Sequence, residues 1–190
     1  MLRVTSVALY IAKNWKESVL NTNTLKSMLL LHDIGNIVRF DFEKHPEFLG
    51  DEIIRVDYWK NRQKDSILKY GNDDHEATVA MLKELGISEE IKQKIYKMGY
   101  WNVEEVKNCT DWYLKLALYS DLRVGPFGIL TLQNRLDDIH KRIEKYKMRP
   151  ELMGFAQELE NQIQANLKTT VSEIDNKSIS VNDNLLGYKV

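Results

Sequence analysis

The sequence is poor in cysteine, proline and long apolar runs. A single thiol, Cys109, cannot close an internal disulfide. A disulfide-stapled secreted scaffold is thereby excluded, and the chain reads as cytoplasmic. Proline occurs only at 46, 126 and 150, so long stretches are free of helix breakers. The longest apolar stretch near the start, Val7 to Ala12, is too short for a bilayer and carries no cleavage pattern. Neither a membrane span nor a signal peptide is expected. An excess of one charge is also lacking: 27 Lys and Arg stand against 28 Asp and Glu, for a net charge of −1. Without a basic block, general nucleic-acid binding is not expected. There is no internal repeat, and Asn108-Cys109-Thr110 is a chance glycosylation match.

What is present is helical spacing of apolar residues almost throughout. At 190 residues the chain suits one domain with a proper core. The pattern predicts an all-α multi-helix bundle of about eight helices. Val4, Val7, Ala8, Ile11, Ala12, Trp15 and Val19 form one stripe of a first helix over about Arg3 to Leu20. A second helix runs from about Leu25 to Val38, with Asn23 or Thr24 as its cap. Further helices are expected over about 51–70, 73–85, 88–99, 111–124, 132–147 and 150–174, with Gly71, Gly86 and Gly99 as left-handed stops. Residues 1–145 make the main helical unit, 146–174 a C-terminal helix packed on it, and 175–190 a loosely docked tail. No alternating run is long enough for a strand.

Three polar residues interrupt apolar faces. His32 completes Leu25, Met28, Leu29; Asp121 completes Leu114, Ala117, Leu118; His75 begins Val79, Leu82. A buried carboxylate needs a partner or a metal. Each residue has a simpler explanation: a satisfied core histidine, an Asp121–Arg123 pair, a solvated helix start at His75. The adjacent Asp33, about 100° further round a helix, changes the balance. Imidazole and carboxylates from separate helices, converging on one point, suit a divalent cation.

Leu29-Leu30-Leu31-His32-Asp33-Ile34-Gly35-Asn36 resembles the central motif of the HD superfamily of metal-dependent phosphohydrolases. Asp121, in Leu118-Tyr119-Ser120-Asp121-Leu122-Arg123-Val124, resembles its late metal aspartate, and Gly125-Pro126-Phe127-Gly128 and Leu132-Gln133-Asn134-Arg135-Leu136 fit the usual sequel. His75 in Asp74-His75-Glu76-Ala77-Thr78 matches a histidine that some members use for a second metal or for the phosphate. The likeness covers about residues 1–145. It implies a divalent cation (Mn, Fe, Co, Ni, Zn or Mg) held by His32, Asp33 and Asp121, with His75 as a further ligand. Such a cation would acidify a water and polarise a phosphoryl oxygen, with Asp33 or Glu76 taking the proton. Arg123, Lys60 and Arg39 are the candidate phosphate contacts. The expected substrate is a small phosphate ester, such as a nucleotide; Tyr58, Trp59, Tyr100 and Trp101 are core or rim residues before they are base-stacking ones.

One part of the pattern is absent. Leu2-Arg3-Val4 resembles the segment that follows the family's first metal histidine, which would stand immediately before Met1. The expectation is that the natural chain extends upstream and supplies it. The alternative is a catalytically weak or inactive HD-type module that binds a nucleotide or regulates. Cys109 has no positioned partner and is set aside as a nucleophile. His45 follows the His-Asp helix in a loop, and His140 reads as a boundary residue. Homo-oligomerisation stays open.

Overall fold

The computed structural model describes residues 1–17, 20–44, 46–181 and 183–189. It is all-α, as the periodicity predicts. The helices are α1 (Leu2–Lys13), α2 (Thr22–Leu31), α3 (Val56–Tyr70), α4 (Asp74–Glu84), α5 (Glu89–Lys97), α6 (Val103–Asn108), α7 (Trp112–Asp121), α8 (Leu132–Arg142), α9 (Glu144–Lys147) and α10 (Glu151–Asn166). Short 3₁₀ segments fall at Ile34–Arg39, Pro46–Arg55, Tyr100–Asn102, Val171–Glu173 and Asp183–Gly187. A two-residue hairpin, β1 (Val124–Gly125) with β2 (Gly128–Ile129), turns the chain after α7. Among the described residues no helix is long and apolar enough to cross a membrane.

α7 is the centre. Leu114 to Ser120 are all buried, and α1, α2, α5, α6 and α10 pack around it. A helix apolar on every side belongs inside a bundle. α1 turns Val4, Val7, Ala8 and Ile11 onto it, and the C-terminal end of α1 is tied to that of α10 by Lys16 N–H donating to the Asn166 carbonyl at 2.9 Å.

Several boundaries differ from the periodic reading. α1 stops at Lys13, leaving Trp15 in a β-bridge with Leu167; Val19 lies outside the described residues. Asn21 caps α2 by accepting from Asn23 N–H, so neither Asn23 nor Thr24 is the cap. Ser88 caps α5 as expected. Gly71 (φ 83°) and Gly86 (φ 71°) do adopt the left-handed region. Gly99 does not, with φ −68°. It is glycine because the Trp101 ring lies where a Cβ would be, 2.0 Å away. α6 escaped the sequence reading, being only 6 residues long. The predicted 132–147 helix breaks at Ile143, and the 150–174 helix ends at Asn166.

The chain after α10, from 167 onward and so including the predicted tail, is docked among its described residues: Ile174, Ile179 and Leu185 are buried, and the Asn176 amide clasps both backbone groups of Ile129 on β2. Arg123 completes the anchorage. It is 2% exposed and donates four hydrogen bonds, to the carbonyls of Leu130, Val171 and Ile174 and to the Tyr119 hydroxyl. Glu160 lies 3.6 Å from it and accepts from the same hydroxyl at 2.6 Å. Truncating Arg123 would leave a buried carboxylate and three carbonyls without their cation. Arg123→Ala is expected to lower unfolding free energy by about 3–5 kcal/mol, read by urea denaturation. A loss under about 1 kcal/mol would mean that this network does not hold the tail.

Candidate metal centre

His32 ends α2. Leu25, Met28 and Leu29 on the same face are fully buried, and the His32 side chain is only 5% exposed. Its Nδ1 lies 2.9 Å from the Leu29 carbonyl. A carbonyl only accepts, so Nδ1 carries a proton, and Nε2 holds a lone pair whenever the ring is neutral. This backbone bond orients the ring in the way that metal-binding histidines require. Nε2 is buried and has no hydrogen-bond partner. It lies 3.3 Å from Asp33 Oδ2 and 3.4 Å from Asp121 Oδ1. The three donor atoms lie within 4.8 Å of one another, so this His-Asp-Asp cluster could hold a metal ion.

Asp33 follows His32 at about 100° round the axis, near enough to reach the same point. The predicted helix through Val38 stops here: Asp33 leaves helical geometry (φ −110°, ψ 18°) and a 3₁₀ segment begins at Ile34. Gly35 then presses against the first turn of α4. A Cβ there would meet the Asp74 carbonyl oxygen at 2.4 Å and Thr78 N at 2.5 Å. Gly35 N–H donates to the Thr78 hydroxyl, which donates to the Asp74 carbonyl at 2.7 Å. Asp121 arrives independently, as the last residue of α7.

The electrostatics are those of an unmet cation. Burial opposes charge on His32, but Asp33 and Asp121 outweigh it and push the imidazole up to about 9. Desolvation raises the Asp33 carboxyl, with His32 opposing and Asp121 adding to the rise. The Asp121 carboxyl is held down: its desolvation is overcome by the close approach and charge of His32 and by the charge of Arg135.

The other predicted site residues fall elsewhere. His75 is not inward: its side chain is 39% exposed, at the second position of α4, edge-on to Trp101 at 4.2 Å between ring centroids. It lies outside the three-donor cluster, as does the exposed Glu76. Both are on the turn that Gly35 abuts. Arg39 pairs with Asp74 at 3.0 Å and Lys60 with Glu43 at 3.5 Å; both line an open cavity of about 390 Å³ that none of the three donors lines. Arg123 is corrected: buried and fully engaged with the tail, it does not face the cluster and does not pair with Asp121. His45 lies outside the described residues. His140 bonds Tyr100 at 2.9 Å, and Tyr100 itself is core. Trp101 is half-buried beneath Lys145, Trp59 donates to Glu52, and Tyr58 is exposed.

One charge that acts on the cluster was missed from sequence: Arg135 helps to hold the Asp121 carboxyl down. Arg135 belongs to the segment quoted for the resemblance, but an arginine beside an amphipathic stripe gives no sign of acting on a carboxylate 14 positions earlier. Fold and site thus define an all-α protein with a preorganised His-Asp-Asp donor set. Comparison with known proteins adds nothing to this: no family model, no curated protein and no solved structure matches the chain.

Two outcomes follow from this geometry. A metal must displace the proton on His32, so manganese affinity should climb with pH, by up to about tenfold per unit, and level off near 9. Calorimetric titrations from pH 6 to 9 measure this, and a flat profile would contradict it. Gly35→Ala should cost about 1–3 kcal/mol in stability and weaken metal binding, because the turn that aims Asp33 must move; unchanged melting and metal affinity would contradict that.

Proposed function

We propose that this chain is a metal-dependent phosphohydrolase acting on a phosphate ester of a nucleotide or another small phosphorylated metabolite. The observation that carries this reading is the buried, unpartnered His32 Nε2 set between two carboxylates, with its tautomer fixed by Leu29. An orphaned buried ring nitrogen is costly unless something occupies the site. Imidazole with two carboxylates fits manganese, iron, cobalt, nickel or zinc, and magnesium less well. Three protein donors also leave coordination positions for water and substrate. The resemblance of the His32-Asp33 motif to the HD superfamily supplies the reaction class.

A divalent cation supplies electrophilic charge, which acidifies water and polarises a phosphoryl oxygen. His32, Asp33 and Asp121 would hold it. Asp33 is also the best-placed proton acceptor: its side chain is 44% exposed, and its carboxyl is raised toward the range a general base needs. Glu76 is the second candidate for this role. His75, on the turn pressed by Gly35, stands ready for a second ion or the phosphate. Arg39 and Lys60 would meet the more distant parts of an anionic substrate in their shared cavity.

Purified protein supplied with manganese or cobalt is expected to hydrolyse a generic phosphomonoester or phosphodiester. His32→Ala and Asp33→Ala should each lower the rate about 100-fold or more, equivalent to at least about 2.7 kcal/mol of barrier. Activity that survives both changes would remove this site from the reaction. Stoichiometric metal and tight nucleotide binding without turnover would favour the regulatory module instead.

A further inference from the structure

We propose that the outer face of α3 is an interface with a second copy of this chain, in which two α3 helices pair antiparallel about a two-fold axis at Asn61. The pairing is independent of the metal centre.

α3 contributes no fully buried residue to the bundle. Val56, Trp59, Gln63, Ser66 and Tyr70 are half-buried on the side that meets α4 and the 3₁₀ segment Ile34–Arg39. Gln63 fixes that side, donating to the carbonyls of Ile37 at 2.8 Å and Phe40 at 2.7 Å. The opposite side is open. Ile54, in the 3₁₀ segment that runs into α3, recurs every seven residues with Asn61 and Leu68, and all three are exposed. Ile54 is 87% and Leu68 90% exposed. A period of seven is that of a helix–helix seam. One edge of the seam carries Asp57 and Lys64, the other Tyr58 and Asp65, and all four are exposed. Among the described residues the side chains of Asp57, Asn61 and Lys64 make no hydrogen bond or ion pair. A lone exposed leucine is ordinary; a seam with charged edges, on a helix that buries nothing fully, is a surface made for another helix.

The pattern is complementary to itself. A two-fold axis across Asn61 keeps each edge against the same edge of the second copy and reverses its direction. Asp57 then faces Lys64 of the second copy. On the other edge the Tyr58 hydroxyl can donate to Asp65 of the second copy, and Ile54 packs against Leu68 of the second copy at the end of the seam. Each of these pairs occurs twice, as an isologous contact requires. Asn61 meets Asn61 of the second copy on the axis, where an amide both donates and accepts. An asparagine within a seam sets its register. Antiparallel alignment also places opposite ends of the two helix macrodipoles together.

Seven residues a side fall short of the roughly 20–30 of a stable interface, so the dimer should be reversible and half-formed at about 100 µM chain. Sedimentation velocity of the full chain between about 5 and 500 µM reads it. A wild type that stays monomeric throughout overturns the proposal. Leu68→Glu should raise Kd about tenfold or more; an unchanged Kd would place the dimer on another face and overturn it too. Asp57→Lys sets like charges together at both copies of that pair and should raise Kd about fivefold or more. Combining it with Lys64→Asp restores opposite charges and should return Kd to within about twofold of wild type. A parallel pair would instead set Lys64 against Asp65 of the second copy, so adding Lys64→Asp would weaken it further. Failure of the double variant to rescue therefore overturns the antiparallel pairing. All these positions are exposed, so each variant should fold as the wild type does.

Discussion

A helix buried on every side must satisfy each polar group it carries from within the protein. α7 is such a helix, and most of the architecture answers to it. Lys115 is 6% exposed and reaches Gln162 on α10 at 2.7 Å, its ammonium lying over the Trp112 ring. Tyr119 passes its hydroxyl hydrogen to Glu160 and accepts from Arg123. Arg123, just beyond the helix, gathers the tail carbonyls. Each of these groups is closed by a protein partner; the Ser120 hydroxyl, buried on the same helix, has none. Asp121 is the member of the series that meets His32, and the bundle closes around the point where two carboxylates face that imidazole.

The segment after that point depends on a close contact. α2 ends at Leu31 and the chain turns through Gly35, which touches the backbone of α4 where a Cβ would meet the Asp74 carbonyl oxygen and Thr78 N. Glycine at 35 is therefore a packing requirement two residues from Asp33.

The centre combines opposite demands. The two carboxylates hold a proton on His32 well above its ordinary range. The same field that stabilises that proton would stabilise a metal in its place. The cations are sorted by role: Arg123 holds structure, and Arg39 and Lys60 line a cavity of their own. A neighbour of Asp121 in the chain was the natural choice for a phosphate contact, yet Arg123 is turned into the core.

The sequence by itself determined the helical class, the inward stripes that end in His32 and Asp121, and the left-handed stops at Gly71 and Gly86. These follow from local periodicity and local backbone sterics, which any short window of residues contains. Only the tertiary structure decided where α2 breaks, that the tail is docked through Ile179 and Leu185, that His75 stays half-open, and that Arg123 turns into the core. Those features depend on contacts between residues tens of positions apart. Such contacts are set by how whole helices pack around α7, and no local pattern encodes them. The opening motif of Leu29 to Asn36 was legible as a resemblance; that its two polar residues meet Asp121 around one point is a property of the folded bundle.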